Sequence, residues 1–148
     1  MKKLIIVLVL GLVFTVAYAQ TDNPLKKGMP NTVTLSNGEV VYDLSGEWDV
    51  IADARKVTGK IYKDIHKITQ KGNEFVGIRL IGNEWNPKDT EAIKGELEKD
   101  GFKSLQINTG YGWITSKGKI DEKCNKIEIE VIMPTVQRNI MYITLTRK

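Results

Sequence analysis

From Gly46 onward, apolar and polar residues alternate with a period of two. In Lys126–Met133, Ile127, Ile129, Val131 and Met133 hold one phase, while Glu128 and Glu130 hold the other. This is the pattern of a strand with one buried face. In Gly46–Arg55, Trp48, Val50, Ala52 and Ala54 share a face. Further strand-like runs are Ile61–Gln70, Glu74–Ile81, Glu91–Glu98, Phe102–Asn108, Trp113–Asp121 and Arg138–Arg147. Only Asp89–Lys99 also fits a helical repeat, and it fits alternation about as well. Eight short strands between turn signals predict an all-β fold, an antiparallel sandwich or barrel.

Connection lengths favour the barrel. The connections after the second, fourth and sixth strands, Lys71–Asn73, Lys99–Gly101 and Glu122–Asn125, are tight. Those after the first, third, fifth and seventh, Lys56–Lys60, Gly82–Thr90, Thr109–Gly112 and Pro134–Gln137, are longer or richer in glycine and proline. Alternate connections of a meander lie at opposite ends, so one end is closed by turns and the other carries loops. The expectation is an eight-stranded antiparallel up-and-down β-barrel over residues 44–148. Such a barrel is filled by its own side chains or holds one small ligand, and closure removes exposed strand edges. Parity points Val50, Ala52, Ile68, Ile78, Leu97, Leu105, Ile107, Ile129, Val131, Ile143 and Leu145 inward. Upstream, Asn37-Gly38 between two β-prone runs predicts a hairpin within an arm spanning 20–43.

Residues 1–19 read as an export signal: Lys2 and Lys3, a short apolar run, and Ala17-Tyr18-Ala19 as a cleavage site. The apolar run is too short for a comfortable membrane span. A periplasmic or secreted chain starting near Gln20 is expected, with no stable membrane anchor and no following cysteine for lipid attachment. Removing Lys2 and Lys3 takes the net charge from +4 to +2. The remaining charges alternate in sign, as in Glu96 to Asp100. Solvated surface is the natural reading, and no nucleic-acid partner is expected.

In a barrel of this order, Trp48 at the start of the first strand and Arg147 at the end of the last should meet at the closed end. The indole would plug the base beneath the guanidinium, and Gly46 would let the incoming chain bend across it. Gly46-Glu47-Trp48 opening the first strand, with Arg147 ending the last, resembles the signature of the calycins, which include lipocalins, fatty-acid-binding proteins and avidins. The resemblance covers about Leu44–Lys148. It implies an eight- to ten-stranded barrel that usually holds a small, often apolar molecule at its open end. The chain departs from lipocalins in reading TSKGKIDEK where a second, Thr-Asp-Tyr-like motif would stand, and in lacking a disulfide. ITQKGNEFVG and GKIDEKCNKIEIEV are similar to small bacterial lipocalin-like domains.

Candidate chemistry is sparse. There is one histidine, one cysteine, and no Gly-x-Ser-x-Gly, HExxH or CxxC. His66 shares parity with Ile68 and is expected as a wall residue; a catalytic or metal role would need a partner such as Asp64 on the same face. Cys124 is expected to be an incidental turn residue. Gly110 to Trp113 is glycine-rich, but no helix follows to bind phosphate. No enzymatic activity, metal or cofactor is expected. The two long loops bring Trp85, Tyr111 and Trp113 to one rim, where aromatics suit a ligand entrance or a partner patch. Ala52, Ala54, Ile78 and Val131 are the candidate lining, with Gly77 and Gly95 also small enough to leave space. The leading expectation is a small hydrophobic or amphipathic ligand at the open end. The alternatives are a protein-binding envelope module (an inhibitor or assembly accessory) using the rim or the SNGEV hairpin, and a purely structural domain whose aromatics are core.

Overall fold

A computed structural model describes residues 25–134 and 139–148. The expected export segment 1–19 lies outside the described residues, as does most of the seventh connection. Strands β1 (Thr32–Thr34) and β2 (Val40–Tyr42) form an antiparallel hairpin. Its turn is closed by Leu35 N–H to Glu39 O and Gly38 N–H to Leu35 O, with Gly38 at φ +86°. That positive φ is why Asn-Gly is a hairpin signal.

The remaining elements are β3 (Gly46–Ala54), α1 (Arg55–Thr58), β4 (Lys60–Lys71), β5 (Glu74–Arg79), β6 (Glu91–Glu98), β7 (Gly101–Thr109), β8 (Gly112–Thr115), β9 (Lys117–Ile120), β10 (Lys126–Ile132) and β11 (Ile140–Arg147). All nine of these strands belong to one antiparallel sheet in the order β8-β7-β6-β5-β4-β3-β11-β10-β9. Its two edges, β8 and β9, are consecutive in the chain and separated only by Ser116. The chain therefore leaves one edge and enters the other, wrapping the sheet into a nearly closed barrel. At the step, Ser116 N–H donates to Leu105 O of β7 at 2.9 Å.

The sheet thus has nine strands where alternation predicted eight, because Trp113–Asp121 is split at Ser116. Its first half pairs with β7, from Thr109↔Gly112 to Gln106↔Thr115. Its second half pairs with β10, from Ile127↔Ile120 to Glu130↔Lys117. A strand that joins both edges of a tilted sheet must leave one neighbour as it takes up the next. The stretch with two possible readings, Asp89–Lys99, supplies strand β6. The helical turn α1 begins at the last residue of the first predicted strand and otherwise lies in the predicted connection Lys56–Lys60, where Gly59 stops it at φ +76°.

The tight-turn end is sealed by the arm. The Leu35 side chain reaches Gly72, Lys99 N–H donates to Glu39 Oε1, and Asn31 Nδ2 donates to Lys123 O. These contacts touch all three tight turns, so the hairpin straps the barrel base. Gln70 links the strap to β4, accepting from Leu44 N–H and donating to Tyr42 O. Val41 and Leu44 are fully buried beneath it.

Trp48 is fully buried, and its Nε1 donates to Leu44 O at 2.9 Å. The Arg147 guanidinium lies over the ring, with Cζ 4.4 Å from the centroid. It also donates to the carbonyls of Asp43, Ser45 and Cys124. Gly46 beside it has φ +124°, a conformation that side chains disfavour. Ile68, Phe75, Leu97, Leu105 and Ile127 fill the barrel above this plug.

Two expectations change here. Gly77 and Gly95 leave no free space: a Cβ on Gly77 would lie 2.6 Å from Ile93 Cγ2, and one on Gly95 would lie 2.0 Å from Ser104 O. Both are close-approach glycines near register shifts in β5 and β6. Cys124 does sit in a turn, at φ +53°, but it is wholly buried under the arm. Its thiol contacts Asp43 O and the Arg147 guanidinium. Burial pushes the thiol pKa up, against the opposing pull of Arg147.

Candidate functional site

The loop-bearing half of the barrel is not filled. It contains a cavity of about 370 Å³, bounded by α1, the segment after β5 and the β7–β8 turn. Its two sides differ in chemistry. Strands β3 and β11 contribute Val50, Ala52, Ala54, Ile143 and Leu145, extended by Met133 and Met141. Strands β4, β5 and β7 contribute Tyr62, Asp64, His66, Arg79 and Thr109, with apolar Ala92, Ile93 and Ile107 of β6 and β7 beside them. The cavity therefore has an apolar side and a mixed side that carries the polar groups.

Alternation along β4 creates the polar wall. The inward phase reads Tyr62, Asp64, His66, Ile68, so one strand is polar at the loop end and apolar where the core begins. Asp64 Oδ1 accepts from the backbone N–H groups of Ile65, Ile81 and Gly82 at 2.7, 3.1 and 3.2 Å. The carboxylate thereby pins the segment leaving β5 to the middle of β4. Its second oxygen, Oδ2, faces His66 Nε2 at 3.7 Å and Arg79 Nε at 3.9 Å. Burial would raise the Asp64 pKa, but His66 and the three backbone N–H groups together hold it down at about 2.

Arg79 is buried in the neighbouring strand β5, where it pairs with His66. Its Nη1 donates to Glu91 O at 2.7 Å and to Thr90 Oγ1 at 3.4 Å, and its Nη2 donates to Asn108 O. Burial lowers its pKa, and the Asp64 charge offsets part of that effect. A guanidinium holds its charge under such conditions, so the Asp64–Arg79 pair is formally neutral. His66 Nδ1 is buried and has no hydrogen-bond partner among the described residues.

At the mouth, Trp85 is 67% and Tyr111 70% exposed. Their loops touch, since a Cβ on Gly110 would lie 3.2 Å from Trp85 Cβ. Asn83 Oδ1 accepts from the N–H groups of Trp85 and Asn86, so the Trp85 loop is an ordered turn.

Of the residues singled out from sequence, Ala52, Ala54, Trp85 and Tyr111 line the cavity together. Ile78, Trp113 and Val131 do not. In β5 the buried phase is Phe75, Gly77 and Arg79, which turns Ile78 to the outer face. Both phases of that strand hold apolar residues, so parity alone could not choose between them. Trp113 pairs with Asn108 on the outer face, where Lys94 Nζ lies 4.0 Å from its ring centroid. Val131 is fully buried in the wall outside the cavity lining. Arg79 was missed altogether, although an arginine in phase with Phe75 and Gly77 was the available signal.

Among the described residues, no group of three or more His, Cys, Asp or Glu side chains is placed to hold a metal ion. Cys124 lies at the sealed end, remote from the cavity. Comparison with protein-family models and with curated proteins found no match.

Proposed function

We propose that this chain is a lipocalin-like member of the calycins whose open end binds a small hydrophobic or amphipathic molecule. The cavity carries the reading. Its volume, about 370 Å³, falls within the usual range for small-molecule sites. Its apolar wall of Ala52, Ala54 and Ile143 gives a guest a surface to bury. Exposed Trp85 and Tyr111 flank the mouth and offer large contact area at low rotamer cost. The reading is of binding without a chemical step. Residues 1–19 add export to the periplasm or the medium. Native mass spectrometry of protein purified without detergent tests the proposal. A retained small-molecule mass, or stoichiometric uptake of the neutral probe N-phenyl-1-naphthylamine, is the expected result. Protein that carries nothing and takes up no probe would overturn it.

A second reading, a protein-binding envelope module, draws on the same exposure of Trp85 and Tyr111. A partner cross-linked to the wild type and lost in Trp85→Ala, with no probe uptake, would favour it.

A further inference from the structure

We infer that Asp64, His66 and Arg79 form a head-group subsite for a neutral amphipathic molecule that carries a hydroxyl or N–H donor, and that the subsite discriminates against carboxylates. This rests on the cavity being a binding site and concerns what that site selects. What a guest can bind is set by the hydrogen-bond capacity left open on Asp64, His66 and Arg79. Arg79 looks like an anion receptor, but its Nη groups are engaged by Glu91 O, Thr90 Oγ1 and Asn108 O. Three of its five N–H groups are thereby spent, and the Nε–H faces the Asp64 carboxylate, so a guest carboxylate reaches this guanidinium only in competition with Asp64.

Asp64 has the reverse profile. Oδ1 is saturated by three backbone N–H groups. Oδ2 has His66 Nε2 at 3.7 Å and Arg79 Nε at 3.9 Å, both beyond hydrogen-bond reach. An ionised oxygen on a cavity wall with open lone pairs is matched by a donor. A hydroxyl there can give its proton to Oδ2 while its oxygen accepts from His66 Nε2. A carboxylate would instead face the Asp64 charge and have to compete with Asp64 for the remaining Arg79 donors. The facing wall of Val50, Ala52 and Ile143 takes the apolar remainder of the molecule.

The test uses the full chain, N-phenyl-1-naphthylamine as the cavity probe, and three competitors of matched length: octanol, 1-methoxyoctane and octanoate. Octanol should displace the probe about tenfold or more tightly than the ether, the scale of one hydrogen bond to a charged group. That order runs against simple hydrophobicity, which favours the ether. Octanoate should be the weakest. In Asp64→Asn, octanol and ether should converge to within about threefold, and octanoate should tighten. Ether or octanoate competing as well as octanol in the wild type would overturn the assignment, as would an unchanged gap in Asp64→Asn. If the variant does not fold, the wild-type ranking decides alone. Probe uptake with the wrong ranking defeats only the head-group assignment; no uptake defeats the cavity reading and this inference with it.

Discussion

Two arginines show how differently one residue type is used here. Arg147 is a staple: it stacks on Trp48 and gathers three carbonyls, from Asp43 and Ser45 at the strap and Cys124 in a turn. A lysine keeps the charge but loses the planar fork. Arg147→Lys should therefore cost about 2 kcal/mol or more, read as a lower urea midpoint with an unchanged slope. Arg79 belongs to the cavity wall, where it is paired with Asp64. Asp64 also gives a pH signature. Its folded pKa, about 2, lies below its ordinary 3.8, so its stabilisation is complete above 3.8 and lost as pH falls towards 2. The wild type's advantage over Asp64→Asn should shrink across that window by on the order of 2 kcal/mol. A difference flat across pH would contradict the buried, hydrogen-bonded carboxylate. At this scale Trp48 and Arg147 were legible, because each ends a patterned strand. The phase of Arg79 with Phe75 and Gly77 was a signal, but its pairing and the open lone pairs of Asp64 were not legible, since they depend on distances across strands.

Among the elements, the strap formed by β1 and β2 matters most, because it converts three separate turns into a closed floor. It also shields Cys124, whose thiol is fully buried and raised in pKa by that burial. Native protein should not react with a disulfide reagent such as DTNB, and the single thiol should titrate fully once the chain is unfolded. Rapid native reaction would mean the strap opens readily. Where β6 meets β7, Gly95 lets backbones approach so closely that an added Cβ would sit 2.0 Å from Ser104 O. Gly95→Ala should cost about 1–3 kcal/mol, measurable by thermal denaturation. Strand positions were readable because alternation is strong in β3, β10 and β11. The split at Ser116 was not, because closure geometry is set by the tilt of the whole sheet. Phase in β5 also escaped, since Val76 and Ile78 are as apolar as the residues that face inward.

For the whole molecule, the loop asymmetry seen along the chain corresponds to a division of labour between the two ends of the barrel. One end is plugged by Trp48 and strapped by the arm, and the other holds a cavity with one apolar wall and one that carries Asp64, His66 and Arg79. Binding at the open end is the claim on which the functional reading depends. It is tested most directly by fluorescence titration with N-phenyl-1-naphthylamine of the wild type and of Ala52→Phe, which places a ring in the cavity. Saturable one-site uptake by the wild type, abolished in a variant that still unfolds cooperatively, is the predicted result. No saturable uptake by the wild type, or uptake undiminished in folded Ala52→Phe, would contradict it.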